Sequence, residues 1–90
     1  MNKQRRKELS DIAAGLRAAF DTVEELRSQL ETIRDEEQEY FDNMPESFQT
    51  GDKGSAAENA VNAMEEAIGY LEEITDTLEN AASSAETAAE

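Results

Sequence analysis

Residues 9–33 read LSDIAAGLRAAFDTVEELRSQLETI, and their apolar side chains recur alternately three and four positions apart. This spacing is typical of a helix that packs along one stripe against a second helix. The row comprises Leu9, Ile12, Leu16, Ala19, Val23, Leu26, Leu30, Ile33, Glu37 and Tyr40. Because no proline occurs before Pro45, the sequence predicts one helix from about residue 4 to residue 42.

A second row with the same spacing follows the only proline of the chain. It comprises Ala57, Val61, Met64, Ile68, Leu71, Thr75, Leu78, Ala82 and Ala85. Ser55 and Glu58 have the spacing of a capping box, which predicts that the helix begins near Ser55. Beyond residue 82 almost nothing large can be buried, so we expect a helix over about residues 55–82 and a frayed tail over residues 83–90.

The segment between the helices, about residues 43–54, has the composition of a turn. It contains Pro45 and two glycines, Gly51 and Gly54. A turn of this length can return the chain alongside itself. The sequence therefore predicts an all-α fold with a single domain, an antiparallel two-helix coiled-coil hairpin.

One register satisfies both rows. It pairs Tyr40 with Val61, Ile33 with Ile68 and Leu26 with Thr75, and it places Arg27 beside Glu72 and Arg34 beside Glu65. Opposite charges at these flanking positions favour the register more than they stabilise the fold. Because a lone hairpin buries few large side chains, we expect a homodimer in the form of a four-helix bundle.

The charge of the chain is strongly acidic and unevenly distributed. The chain has 22 Asp and Glu residues and 8 Lys and Arg residues, which gives a formal net charge of −14 over 90 residues. Four cations lie in the first seven positions, and Lys53 is the only one after Asp35. This charge favours a basic partner, and it disfavours direct binding to nucleic acid or to anionic lipid.

The composition argues against most enzyme chemistry. The chain has no cysteine and no histidine, so it lacks a thiol nucleophile, a thiolate metal ligand and the commonest general base. The acidic runs do not have the spacing of a calcium loop. We therefore expect a non-enzymatic protein with no cofactor and no metal site. The absence of long apolar runs predicts a soluble protein of the cytoplasm with no membrane segment.

Two groups of residues are candidates for binding a partner. The first consists of carboxylates on the second helix, and the second consists of large apolar and acidic residues around the turn. The candidates are Glu65, Glu66, Glu72, Glu73 and Asp76 on the helix, and Tyr40, Phe41, Asp42, Met44 and Phe48 at the turn. Each group has an alternative role: the carboxylates could serve solubility alone, and Met44 and Phe48 could seal the open end of the hairpin.

Residues 40–47 read YFDNMPES, and a glycine-bearing turn and a helix rich in alanine and glutamate follow them. Over residues 35–71 the chain resembles short acidic helical proteins of phages and prophages. That group has no common established activity, so the resemblance supplies no catalytic residues. It implies a phage-encoded inhibitor that occupies the basic nucleic-acid-binding surface of a host defence enzyme, in the host cytoplasm. The alternative is a coiled-coil adaptor or scaffold whose acidity provides only solubility.

Overall fold

The computed structural model describes residues 1–90 and shows an all-α chain. Helix α1 spans Lys3–Asp42, α2 spans Glu46–Gln49 and α3 spans Asp52–Ala89. The all-α class predicted from the two apolar rows is therefore confirmed. Asn2 caps the start of α1, since its Oδ1 accepts a hydrogen bond from the backbone N–H of Arg5 at 2.8 Å.

The helices form two compact units. The terminal unit comprises residues 1–25 and 71–90, and the turn unit comprises residues 26–70. In each unit a segment of α1 packs against a segment of α3. Within the turn unit the short connection between the helices makes the two segments run in opposite directions.

The side of α3 that faces α1 is the one predicted from the sequence. Ala57, Val61 and Ile68 are buried in the turn unit, and Thr75 and Ala82 are buried in the terminal unit. The hydroxyl of Thr75 donates to the backbone carbonyl of Glu72 at 2.9 Å, so this buried polar group is satisfied within its own helix.

In α1 the side turned towards α3 differs from the predicted one. Ile12, Leu26, Ile33 and Tyr40 are between 50% and 56% exposed. The predicted layers that place the last three of them opposite α3 are therefore wrong. The residues one position later in the chain take their place, namely the buried Ala13 and the half-buried Arg27, Arg34 and Phe41. Phe20, which follows the half-buried Ala19, belongs to the same row.

This rotation of α1 has a physical reason. Phe20 and Phe41 supply large apolar surfaces that the three-and-four pattern had left outside the predicted row. The arginine stems of Arg27 and Arg34 cover apolar surface while their guanidinium groups reach towards carboxylates. Their side chains are only 29% and 28% exposed, respectively.

The start of α3 also differs from the prediction. The helix begins at Asp52, and the backbone N–H of Ser55 donates to the carbonyl of Gly51 at 3.0 Å. Ser55 is therefore already within the helix, and the predicted capping box does not form. Asp52 instead places a carboxylate in the first turn, where the helix dipole favours it. At the other end α3 continues to Ala89, so most of the segment predicted to fray is helical in the structure.

The connection between the long helices is itself ordered by hydrogen bonds. Pro45 precedes the single turn of α2, and its carbonyl accepts from the backbone N–H groups of Phe48 and Gln49 at 2.8 and 3.1 Å. The side-chain amide of Gln49 donates to the carbonyl of Phe41 at 3.0 Å. The same carbonyl also accepts from the backbone N–H of Met44 at 3.1 Å, so two donors of the connection meet the end of α1 there.

Candidate protein-binding surfaces

The aromatic residues of the turn lie at the surface and border a shallow cavity. The cavity has a volume of 350 Å³ and is lined by Tyr40, Asn43, Met44, Pro45, Phe48 and Lys53. Tyr40 is 53% exposed and Phe48 is 54% exposed. Phe48 therefore does not seal the end of the turn unit, whereas Met44 and Phe41 are half-buried.

The chemistry of the turn cavity suits a partner side chain more than a buried small molecule. Its volume is at the lower end of the range for ligand pockets, about 300 to 1,000 Å³. Its wall combines two aromatic rings and a thioether with one cation, Lys53. Asn43, Pro45 and Lys53 were not among the candidates from the sequence. For Asn43 and Pro45 the signal that could have identified them is their position in the turn on either side of Met44.

The predicted carboxylates of α3 are all exposed, but they belong to both units. Glu65 and Glu66 lie in the turn unit, and Glu66 accepts a hydrogen bond from the hydroxyl of Tyr70 at 3.1 Å. The others, Glu72, Glu73 and Asp76, lie in the terminal unit. Asp42 is also exposed, at the end of α1.

The ion pairs differ in part from those predicted. Arg34 contacts Asp35 on its own helix at 3.0 Å, in place of the predicted Glu65. Arg27 contacts Glu31 at 3.4 Å within α1, and its predicted pairing with Glu72 stays a prediction. Arg34, the cation predicted to neutralise Glu65, therefore does not contact it. The carboxylate of Glu65 stays exposed.

The ion pairs between α1 and α3 in the terminal unit are formed by a residue that the sequence did not single out. Arg17 contacts Glu79 with Nη1 and Glu86 with Nη2, the second pair at 2.8 Å. Its Nε also donates to Glu86 at 3.4 Å, so the guanidinium binds both oxygens of this carboxylate. The signal for this contact was the position of Glu79 and Glu86 seven residues apart on α3.

These contacts change the protonation of both partners. The hydrogen bond from Arg17 is the main cause that lowers the pKa of Glu86 below its ordinary value of 4.5. The same hydrogen bond raises the pKa of Arg17 above its ordinary value. Both side chains are about half exposed, so solvent screens the attraction.

Neither a metal centre nor a membrane-spanning element is found in the structure. No three carboxylates come together in an arrangement that could hold a metal ion. None of the helices combines the length and the apolar content needed to cross a membrane. Comparisons with protein-family models, with curated proteins and with solved structures found no match to this chain.

Proposed function

We propose that this chain is a non-enzymatic acidic module that binds the basic, nucleic-acid-binding surface of another protein and occludes it. The observation that carries the proposal is the state of Glu65. This carboxylate is exposed, and Arg34, the cation predicted to neutralise it, pairs with Asp35 instead. Its charge is therefore available to a partner.

The spacing of the carboxylates on α3 supports a partner that normally binds phosphates. Glu65 and Glu66 are followed one heptad later by Glu72 and Glu73. At a rise of about 1.5 Å per residue this gives one negative charge per roughly 5 Å of helix axis. A strand of B-form DNA carries one phosphate per about 3.4 Å. The carboxylates thus present a negative charge density of the same order as a nucleic-acid strand.

The turn cavity supplies the second part of the proposed contact. Exposed aromatic side chains and methionine are enriched among the residues that carry most of the binding energy at protein interfaces. Phe48 and Met44 border the cavity, so a partner side chain that enters it would be held by apolar contact. The carboxylates would then guide association and the turn would slow dissociation.

The test is competitive elution. The immobilised protein is loaded with a cell lysate, and bound proteins are eluted either with a short DNA duplex or with salt of equal ionic strength. We expect the duplex to release the captured proteins selectively, because it competes for the same basic surface. Replacing both Glu65 and Glu66 with lysine should lower capture by at least about tenfold.

The matched control reverses two exposed carboxylates on another side of the turn unit. The substitutions Glu36→Lys and Glu39→Lys change the net charge by the same amount on α1. We expect capture to be retained in this variant. Equal loss in both variants, or release by salt and duplex alike, would show that the captured proteins respond only to total charge.

A structural scaffold is the second candidate function, and a specific observation favours it. Leu26 and Ile33 are exposed apolar side chains on α1 of the turn unit. In this alternative the long helices act as a coiled-coil hairpin that holds other chains together. The duplex elution separates the two candidates, since a scaffold should bind its clients in the presence of DNA.

A further inference from the structure

One side of the turn unit is apolar and almost free of charge. We call it the uncharged face and define it by Leu26, Ile33 and Tyr40 on α1 and by Ala60, Ala63 and Ala67 on α3. The three residues of α1 are between 50% and 53% exposed. Ala63 is exposed, and Ala60 and Ala67 are half-buried. In a chain of which 33% is charged, such a surface requires an explanation.

Helix geometry places these two sets of residues on the same side of the unit. The side of α1 that faces α3 is marked by Arg27, Leu30 and Arg34, and the residues of α1 in the uncharged face lie about 90° from it in one rotational sense. Ala60 and Ala67 are displaced in the same sense from the buried side of α3. The two segments run in opposite directions. A rotation in the same sense from the facing side of each helix therefore leads to the same side of the helix pair.

The turn cavity provides an independent check on this geometry. Tyr40 belongs to the exposed residues of α1, and Lys53 precedes Ala60 by one heptad on α3. Both side chains line the same cavity. The two helices therefore present these positions to a common surface.

We propose that the uncharged face is covered by a second copy of this chain, related to the first by a two-fold axis, so that two helix pairs form a four-helix bundle. A two-fold contact requires a surface that complements itself. Here large side chains on α1 lie beside alanines on α3. A two-fold axis parallel to the helices would seat Ile33 and Tyr40 of one copy against Ala67 and Ala60 of the other.

Electrostatics select the second copy over other occupants. A basic partner would be attracted to carboxylates, and the uncharged face offers only one, the half-buried Glu37 between Ile33 and Tyr40, with Glu36 at its outer edge. An anionic membrane would be repelled by the net charge of −14. A second copy brings an equally apolar surface, and both copies keep most of their carboxylates in solvent. This proposal does not depend on the acidic surface binding any partner.

The test is sedimentation equilibrium of the full chain over about 1 to 300 µM, since a dimer must respond to concentration. We expect a monomer–dimer equilibrium. Ile33→Glu should weaken it by about 100-fold, because a two-fold contact places the buried charge in the interface twice. Ala63→Gln should weaken it as well by enlarging a side chain of the small row. Neither substitution touches a buried residue, and circular dichroism should show unchanged helicity.

The matched control is Ser28→Glu, which adds the same charge on an exposed position of α1 outside the uncharged face. It should leave the dimer intact. The proposal would be overturned if the wild-type chain were monomeric over the whole concentration range or formed an assembly larger than a dimer. Equal effects of Ile33→Glu and Ser28→Glu would overturn it as well. Binding of the monomer to phosphatidylcholine vesicles in a flotation assay would assign the face to lipid and overturn it too.

Discussion

At the scale of single residues, Gly54 has the strictest requirement in the chain. It is buried near the start of α3, and a Cβ atom at this position would overlap the backbone carbonyl and Cα of Gln49. The side chain of Gln49 in turn donates to the carbonyl of Phe41. At Gly54, α3 therefore packs directly against the backbone of the connection from α1.

We predict that Gly54→Ala lowers the free energy of unfolding by about 2 to 3 kcal/mol, because backbone atoms cannot move aside as a flexible side chain can. Urea denaturation measures the change. Gly69→Ala is the matched control in the same helix and the same unit, since a Cβ there meets no atom within 4 Å. It should raise stability by about 0.5 to 1 kcal/mol through helix propensity. If Gly54→Ala left the free energy of unfolding unchanged, the connection would not approach α3 so closely.

At the scale of the helices, the contact between Arg17 and Glu86 joins α1 to α3 in the terminal unit. The lowered pKa of Glu86 means that the folded state binds this proton less readily than the unfolded state. The stabilisation is therefore fully present above pH 4.5, the ordinary pKa of the group, and is lost as the pH falls through the lowered value.

We predict that Glu86→Gln lowers the Tm slightly at pH 7, and that the difference from wild type disappears as the pH falls below the lowered pKa. Thermal melts of the variant and the wild type at a series of pH values measure the difference in Tm. Both proteins carry the other carboxylates, so the contribution of those groups cancels in the difference. Glu90→Gln, at an exposed position beyond α3, should follow the wild type at every pH. A difference that persists in acid would assign the effect to the glutamate stem rather than to its charge.

The helices also show how far the sequence alone could lead. The buried side of α3 was predictable because its apolar residues form one row with glutamates beside it, as Val61 and Ile68 illustrate. In α1 two rows compete: Ile12, Leu26 and Ile33 form the more apolar row, while Phe20 and Arg27 form the one that faces α3. Periodicity selects the more apolar row and cannot weigh the apolar stem of an arginine.

The candidate sites also contain some residues that the sequence could indicate and others that it could not. The sequence identified Tyr40, Met44 and Phe48 because large apolar residues in a polar turn are conspicuous. It could not identify Lys53 as part of the cavity, since that depends on where α3 begins. Arg17 was missed because the spacing of Glu79 and Glu86 on α3 indicates the two acceptors but not the cation, whose choice depends on the rotation of α1.

At the scale of the whole molecule, the net charge of −14 acts on the two proposed associations in opposite directions. Two copies of the chain repel each other, whereas a basic partner is attracted. Raising the salt concentration from about 10 mM to about 100 mM shortens the Debye length from about 30 Å to about 10 Å, and therefore weakens both effects. Salt should thus distinguish contact through the uncharged face from contact through the carboxylates.

We predict that this increase in salt strengthens the dimer several-fold and raises the Tm of the chain, while it weakens capture of basic partners by at least about tenfold. Sedimentation equilibrium and the elution assay measure the two responses on the same protein. Neutralising Glu58 and Glu65 with glutamine should make both responses shallower, since each depends on the remaining charge. A dimer that weakens with salt would instead require opposite charges across its interface, and the cations near the N-terminus would then be the first groups to replace.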